Sequence, residues 1–433
     1  MRFLVQPGGV QDAAVAVPGD KSISHRAVML GSVARGETHI SGFLNGEDCL
    51  ATLAAMAAMG VQTEQHDATT LTVKGVGLHG LQAPSGSLDM GNSGTAMRLM
   101  TGLLAGQRFD TRLVGDDSLT NRPMQRIITP LEAMGASIGS RGGRPPLAIR
   151  GGQSLQGMHY DLPVASAQVK SAILLAGLYA DGITSVTEPA VTRDHTERMF
   201  AAMGVDVRRQ DGHIAIAGGQ DLAGTSVAVP GDLSSAAFVM LGACISGSAS
   251  VLIRNVGINP TRTGVIDILR AMGGNIECMN SREQSGEPVA DIRVRASRLA
   301  GIDVDPALVS LAIDEFPVLF VAAACAAGKT TFSGIGELRV KESDRIAAMA
   351  AGLRELGIRV DESEDGAVVH GGPFSGGTVR SFGDHRIAMS LAVAGTIADA
   401  PVTVRNTDAV ATSFPGFIDL LGRLGARIAE VAE

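Results

Sequence analysis

Six times along this chain a hydrophobic residue followed by glycine closes one kind of segment and opens another. The copies are Ala58-Met59-Gly60-Val61, Ala133-Met134-Gly135-Ala136, Ala202-Met203-Gly204-Val205, Ala271-Met272-Gly273-Gly274, Glu355-Leu356-Gly357-Ile358 and Arg423-Leu424-Gly425-Ala426. The steps between the glycines are 75, 69, 69, 84 and 68 residues. Each copy ends an amphipathic stretch and precedes a short β-like run. Glycine supplies the left-handed conformation that terminates a helix. A period of this size is the mark of repeated supersecondary units, so the chain reads as six similar pieces.

A second signature interleaves with the first. A polar loop opens an apolar stretch of about a dozen residues at Gly19-Asp20-Lys21, Gly91-Asn92-Ser93-Gly94, Ser166-Ala167-Gln168, Gly231-Asp232-Leu233, Asp314-Glu315 and Gly383-Asp384-His385. Alternating strand signals follow each, at 38–41, 111–114, 184–187, 250–253, 330–333 and 402–405. Each unit is expected to hold a helix apolar nearly all round, buried, and an amphipathic one packed outside it. The hexapeptide VAVPGD occurs twice, at Val15–Asp20 and Val227–Asp232. Its two copies mark where halves meet. A chain of 433 residues suits two domains of roughly 200 residues each. The expected division is 19–229 for one domain, and 1–18 with 230–433 for the other. A continuous solenoid of six units is the alternative.

The first VAVPGD is followed by KSISHR and the second by LSSAAF. One copy is armed with charge and the other is not. The loops that open the buried helices carry much of the charge, and a helix N-terminus offers free N–H groups and a partial positive charge to an anion. Lys21, Ser22 and Arg26 sit at one such start. Gly94 lies in a glycine-rich turn suited to close approach of an anion. Arg98 reads as a ligand arm or an ion-pair partner, and Arg122 as a loop cation or a surface one. Ser166, Ala167 and Gln168 open a third helix, and Arg193 lies in a charge cluster. Lys341 and Arg345 are four apart and would share a face on a helix, to hold one anion or to pair with Glu342 and Asp344. Arg386 follows Asp384, and Asp314 stands at a buried-helix start, where an acid is commonly only a cap. Together these place seven cations, Lys21, Arg26, Arg122, Arg193, Lys341, Arg345 and Arg386, beside the acids Asp314 and Glu342. Two domains facing each other would then line a cleft for two small anionic substrates, processed by acid–base chemistry.

Composition excludes several other classes. The chain has no Trp, two Tyr and a net charge of −8, which disfavours a nucleic-acid surface. Cys49, Cys244, Cys278 and Cys325 show no CxxC spacing, so no metal site is expected and the thiols read as reduced cytosolic ones. The N-terminal stretch lacks a signal-peptide pattern, and the apolar runs fall short of a membrane span of about 20 residues. A cytoplasmic protein without membrane contact is expected. No P-loop or GxSxG motif occurs.

Eight motifs in order resemble one family along nearly the whole chain. They are PGDKSISHR (Pro18–Arg26), GNSGTAMR (Gly91–Arg98), NRP (Asn121–Pro123), SAQVKSA (Ser166–Ala172), RDHTE (Arg193–Glu197), NPTR (Asn259–Arg262), RVKESDR (Arg339–Arg345) and GDHRIAM (Gly383–Met389). The family is that of the 5-enolpyruvylshikimate-3-phosphate synthases, and the motifs are similar to its second class. The resemblance implies a two-domain inside-out α/β barrel, each domain of three βαβαββ units. It implies transfer of the enolpyruvyl group of phosphoenolpyruvate to the 5-hydroxyl of shikimate 3-phosphate, in aromatic amino acid (chorismate) biosynthesis, without metal or cofactor. Shikimate 3-phosphate would be held by Lys21, Ser22, Arg26, Ser166, Ala167, Gln168, Arg193, Asp314 and Lys341. Phosphoenolpyruvate would be held by Lys21, Gly94, Arg122, Gln168, Arg345 and Arg386. Asp314 would take the hydroxyl proton, and Glu342 with Lys21 would deliver one to C3. A monomer with two small-molecule substrates is expected.

Two departures from the family pattern stand out. Many members have a phosphoenolpyruvate-binding Lys shortly before the Phe-Pro near the C-terminus, where this chain has Thr412-Ser413-Phe414-Pro415. Members of the second class often carry Ala in the glycine-rich loop, which excludes the inhibitor glyphosate. This chain has Gly94, with Leu99 in place of a common Pro, and is expected to be sensitive. The related transferase acting on UDP-N-acetylglucosamine usually has a Cys before its Arg-Pro, and Gly115–Arg122 has none. The RNA 3′-phosphate cyclases share related repeats but fit the acidic charge poorly. A non-catalytic anion-binding module would account for the cations but not for Asp314 and Glu342.

Overall fold

The computed structural model describes residues 1–432 and divides into two compact units. One comprises 19–229 with 284–287. The other comprises 1–18, 230–283 and 288–432. Six sheets are present among the described residues, three in each unit.

The sheets of the first unit share one topology. Strand Arg35–Ser41 pairs in parallel with Ser226–Ala228 and antiparallel with Leu71–Val76, which pairs with Gln62–Gln65. Thr111–Val114 stands likewise between Leu88–Asp89 and Leu147–Arg150, with Ser137–Gly139 outermost. Ile183–Thr187 stands between His159–Asp161 and His213–Ala217, with Val207–Gln210 outermost. The second unit repeats the pattern twice in full. Ser250–Gly257 lies between Ala13–Ala16 and Glu287–Arg295, with Asn275–Gln284 outermost. Val402–Arg405 lies between Gly377–Arg380 and Arg2–Gln6, with Arg427–Val431 outermost. In the third sheet, Lys329–Ser333 and two partners are regular, and the parallel neighbour is reduced to bridges at Ala300 and Asp303. The two copies of VAVPGD thus supply one parallel strand to each unit: Ala13–Ala16 to one, Ser226–Ala228 to the other.

Six helices are buried on nearly every side: α1 (Lys21–Val33), α2 (Gly94–Ala105), α3 (Ala167–Gly177), α4 (Leu233–Ile245), α5 (Phe316–Cys325) and α6 (His385–Gly395). Their sequences carry almost no charge beyond the first turns, so they meet no penalty in a core. α2 and α3 approach so closely that a Cβ on Gly102 would overlap the backbone of Ala172. Five of the six start at a side-chain cap: Asp20, Ser93, Ser166, Asp232 and Asp384 each accept from a backbone N–H of the first turn. The outer helices are one-sided. In Gly264–Ala271, Val265, Ile266, Ile268 and Leu269 are buried while Asp267 and Arg270 are exposed.

All six repeat glycines have positive φ, from 86° to 104°. The N–H two residues past the helix reaches back to the same carbonyl each time, as in Val61 to Met56, Val205 to Phe200 and Ala426 to Leu421. This terminator satisfies carbonyls that the helix leaves unpaired. The apolar cores follow the units: one cluster draws only on residues 23–229, the other only on 3–17 and 233–426. Among the described residues no helix is long and apolar enough to cross a membrane.

Candidate active site

In the unit containing 19–229, the starts of α1, α2 and α3 carry the expected residues. Lys21 opens α1 and pairs with Asp48, a 3% exposed carboxylate from the first turn of helix Glu47–Ala58. Arg26 lies one turn further. Its Nε donates to Thr196 Oγ1 at 2.7 Å, its Nη2 to Ser171 Oγ at 2.8 Å and its Nη1 to the carbonyl of Ser22 at 3.0 Å. Burial lowers its pKa to about 10, partly opposed by Glu197 and Asp20, so it remains a cation at neutral pH. His25 is fully buried between Thr52 and Ser93. Burial, then Lys21 and Arg26, hold it well below the ordinary histidine value, so the ring is neutral and structural.

The glycine-rich turn is bounded by two guanidinium groups. A Cβ on Gly94 would stand 3.0 Å from Arg98 Nη1 and 3.1 Å from Arg122 Nη1. Arg122 is only 5% exposed and donates to Asn92 Oδ1 at 2.6 Å and Ser118 Oγ at 3.2 Å, so it is no surface cation. Arg98 donates to Gln168 Oε1 at 2.5 Å and to the carbonyl of Pro123 at 3.2 Å. Gln168 Nε2 donates to Thr95 Oγ1 at 2.9 Å. Arg98 therefore fixes Gln168 against the α2 start, a positioning contact that neither sequence reading of it foresaw. Ser166 caps α3 and Ala167 begins it, both half-buried. Arg193 is half-buried in the loop just before helix His195–Ala202.

In the other unit the expected residues gather around Arg345. Its Nη1 lies 3.4 Å from Asp314 Oδ1, its Nη2 donates to Glu342 Oε2 at 2.6 Å and its Nε to Asp384 Oδ2 at 2.8 Å. Burial disfavours its charge, but Asp384, Glu342 and Asp314 outweigh that and raise its pKa above the ordinary arginine value. Asp314 also faces Lys341 Nζ at 3.8 Å and Arg386 Nη2 at 3.9 Å. Arg386 Nη1 donates to the carbonyl of Asp314 at 2.9 Å. Burial lowers the Lys341 pKa, opposed by Asp314 and Glu337. Three cations thus surround one carboxylate whose side chain is 16% exposed.

Two expectations are corrected here. Lys341 and Arg345 do not share a helix. Lys341 follows a 3₁₀ turn in extended conformation, and Asp344 caps the helix that Arg345 begins. The two cations meet at Asp314 instead. Nor does Asp314 cap α5. It lies in the turn before it, Glu315 occupies the cap position without capping, and the Asp314 carboxylate is left for the cations. The sequence reading missed Asp48, whose place in a first turn looks like a routine dipole partner. It also missed Thr196 and Ser171, although both lie inside quoted motifs. Thr412, at the place where the family resemblance implies a Lys, donates its hydroxyl to the carbonyl of Ala409 at 2.7 Å and holds its own turn.

The profile of the EPSP synthase (3-phosphoshikimate 1-carboxyvinyltransferase) family matches residues 5–421. The 3-phosphoshikimate 1-carboxyvinyltransferase of Alkalilimnicola ehrlichii is 58% identical over 430 residues, covering 99% of this chain and 96% of its own length. That of Methylococcus capsulatus is 57% identical over 427 residues, covering 98% of each. The solved EPSP synthase of Acinetobacter baumannii superposes with a TM-score of 0.88 at 52% identity, over 99% of this chain and all of that one. The enolpyruvyl transferase NikO of Streptomyces tendae, at 17% identity and TM-score 0.79, shares the fold. The profile match, the identities and the superposition all span essentially the whole chain, and the chain belongs to the EPSP synthase family.

Proposed function

We propose that this protein transfers the enolpyruvyl group of phosphoenolpyruvate to the 5-hydroxyl of shikimate 3-phosphate, using the residues described above. Lys21, Ser22, Arg26, Ser166, Ala167, Gln168, Arg193, Asp314 and Lys341 hold shikimate 3-phosphate. Lys21, Gly94, Arg122, Gln168, Arg345 and Arg386 hold phosphoenolpyruvate. The 5-hydroxyl oxygen bonds to C2 of phosphoenolpyruvate, and its proton passes to Asp314. Glu342, with Lys21, delivers a proton to C3, so the C2–C3 double bond becomes a methyl-bearing tetrahedral centre. Loss of a proton from that methyl and cleavage of the C2–O bond to phosphate restore the double bond and release inorganic phosphate.

The observation that carries this reading is Asp314 among Lys341, Arg345 and Arg386, at 3.8, 3.4 and 3.9 Å. Cations this close favour the charged form of a carboxylate, the form a proton acceptor needs. The same cations are the groups that two anionic substrates require. The protein acts as a cytoplasmic monomer on these two small molecules. Gly94 leaves room between Arg98 and Arg122 for glyphosate, which is expected to inhibit at concentrations comparable to the KM for phosphoenolpyruvate. An inhibition constant far above that KM contradicts sensitivity. Phosphate release from phosphoenolpyruvate, measured with and without shikimate 3-phosphate, tests the reaction itself. Release that needs no shikimate 3-phosphate is the contrary result.

A further inference from the structure

The motif Asn259–Arg262 and the start of α4, where no cation follows the second copy of the hexapeptide, have no part in the reaction as written. In the structure they meet. Asp232 ends the hexapeptide and accepts from the backbone N–H of Ser234 at 2.9 Å. Asn259 Oδ1 accepts from the N–H and hydroxyl of Thr261 at 3.0 and 2.8 Å, which shapes the turn carrying Arg262. Arg262 is 4% exposed. Its Nη2 donates to Asp232 Oδ1 at 3.1 Å and to Ser234 Oγ at 2.6 Å, and lies 3.8 Å from Glu315 Oε1.

Ser234 Oγ has two further partners. It donates to Glu315 Oε1 and accepts from Arg386 Nη2 at 3.4 Å. Glu315, 2% exposed, also faces Arg386 Nη1 at 3.6 Å. A hydroxyl has one proton to give and two lone pairs to receive with, and here all three are engaged. One side chain thus joins two guanidinium groups and a buried carboxylate.

We propose that Ser234, Glu315 and Arg262 are positioning residues that fix the guanidinium of Arg386, and so set the affinity for phosphoenolpyruvate. The proposal rests on the reading that Arg386 holds that substrate. A long arginine side chain loses rotamer freedom when it is ordered for binding. Here that ordering is done before any substrate arrives. One nitrogen of Arg386 is tied to the carbonyl of Asp314 at 2.9 Å and the other to Ser234. Arg262 supplies the charge that lets Glu315 and Asp232 stay buried beside them. No cation follows the second copy. The first copy has Lys21 after its aspartate. The second has Leu233 and Ser234, and there the guanidinium of Arg262 reaches the aspartate from another turn.

Ser234→Ala removes the junction without altering charge. The test is steady-state kinetics with both substrates, calorimetric titration of shikimate 3-phosphate alone, and the melting temperature. The KM for phosphoenolpyruvate is expected to rise about tenfold, the affinity for shikimate 3-phosphate to stay within about twofold, and Tm to fall by only a few degrees. Glu315→Gln, which keeps the shape and loses the charge, is expected to raise the same KM. Added to Arg386→Lys, the Ser234→Ala change is expected to have no further effect on it. A Ser234→Ala enzyme with native KM for phosphoenolpyruvate, beside an Arg386→Lys enzyme whose KM has risen, overturns the inference alone. So does an equal loss of both substrate affinities, which marks a merely structural role. An Arg386→Lys enzyme with native KM overturns the reading of Arg386 itself.

Discussion

Lys21 is the residue on which most of the proposed chemistry converges. It opens α1, carries a positive charge beside the buried Asp48, and is proposed to touch both substrates and to help protonate C3. Lys21→Ala is expected to lower kcat/KM by at least ~10²-fold, because anion binding and proton delivery are lost together. Near-native kinetics would remove it from the mechanism. Gly94 acts by absence. An alanine methyl there stands 3.0 and 3.1 Å from the two guanidinium nitrogens, closer than most side chains tolerate. Gly94→Ala is expected to raise the KM for phosphoenolpyruvate by about threefold to tenfold and to weaken glyphosate more than that. Equal effects on the two ligands would show that the methyl does not discriminate. The charged residues were legible in the sequence because lysines and arginines in helix-opening loops are conspicuous. Their partners were not. Asp48, Ser171, Thr196 and Arg262 come from positions 27 to 170 residues away from the groups they hold, and no local pattern records such a pairing.

At the scale of elements, the glycine terminators and the caps were legible because each has a local physical cause. Gly204 shows this in isolation: its φ is +94° and a Cβ there would meet nothing within 4 Å. Gly204→Ala therefore costs backbone strain alone, about 1 kcal/mol, and thermal unfolding should shift down by a few degrees without change in kinetics. An unchanged Tm would mean the terminator is replaceable. The start of α1 has its own signature in pH. Burial, reinforced by Lys21 and Arg26, holds His25 well below its ordinary 6.5. The unfolded chain takes up a proton near that pH which the folded chain refuses. The stability is thus fully present above pH 6.5 and is lost as pH falls towards the folded value, by up to about 1.4 kcal/mol per pH unit. The Tm of the native protein should fall more steeply between pH 6.5 and 5.5 than that of His25→Gln. Parallel curves would contradict a buried neutral ring. The shared helix for Lys341 and Arg345 failed for a local reason too. Asp344 is a good cap, its carboxylate accepts from Ala347 N at 3.0 Å, and a helix that begins after it leaves Lys341 outside.

For the molecule as a whole, the repeat count decided more than any single motif. Six terminators and two copies of one hexapeptide were enough to expect six units, and six sheets are found among the described residues. The reduced third sheet of the second unit was not legible, because Ala300 and Asp303 make bridges that no strand pattern announces. Each unit buries its own apolar cluster, and the charged loops open the buried helices of those clusters. The central claim is that these loops perform enolpyruvyl transfer with Asp314 and Glu342 as the acid–base groups. The most direct measurement is inorganic phosphate released from phosphoenolpyruvate by the native protein, by Asp314→Asn and by Glu342→Gln, each with and without shikimate 3-phosphate. The account predicts release by the native protein only when shikimate 3-phosphate is present, and a fall of at least ~10²-fold in each variant. Release without shikimate 3-phosphate, or native rates in both variants, would contradict it.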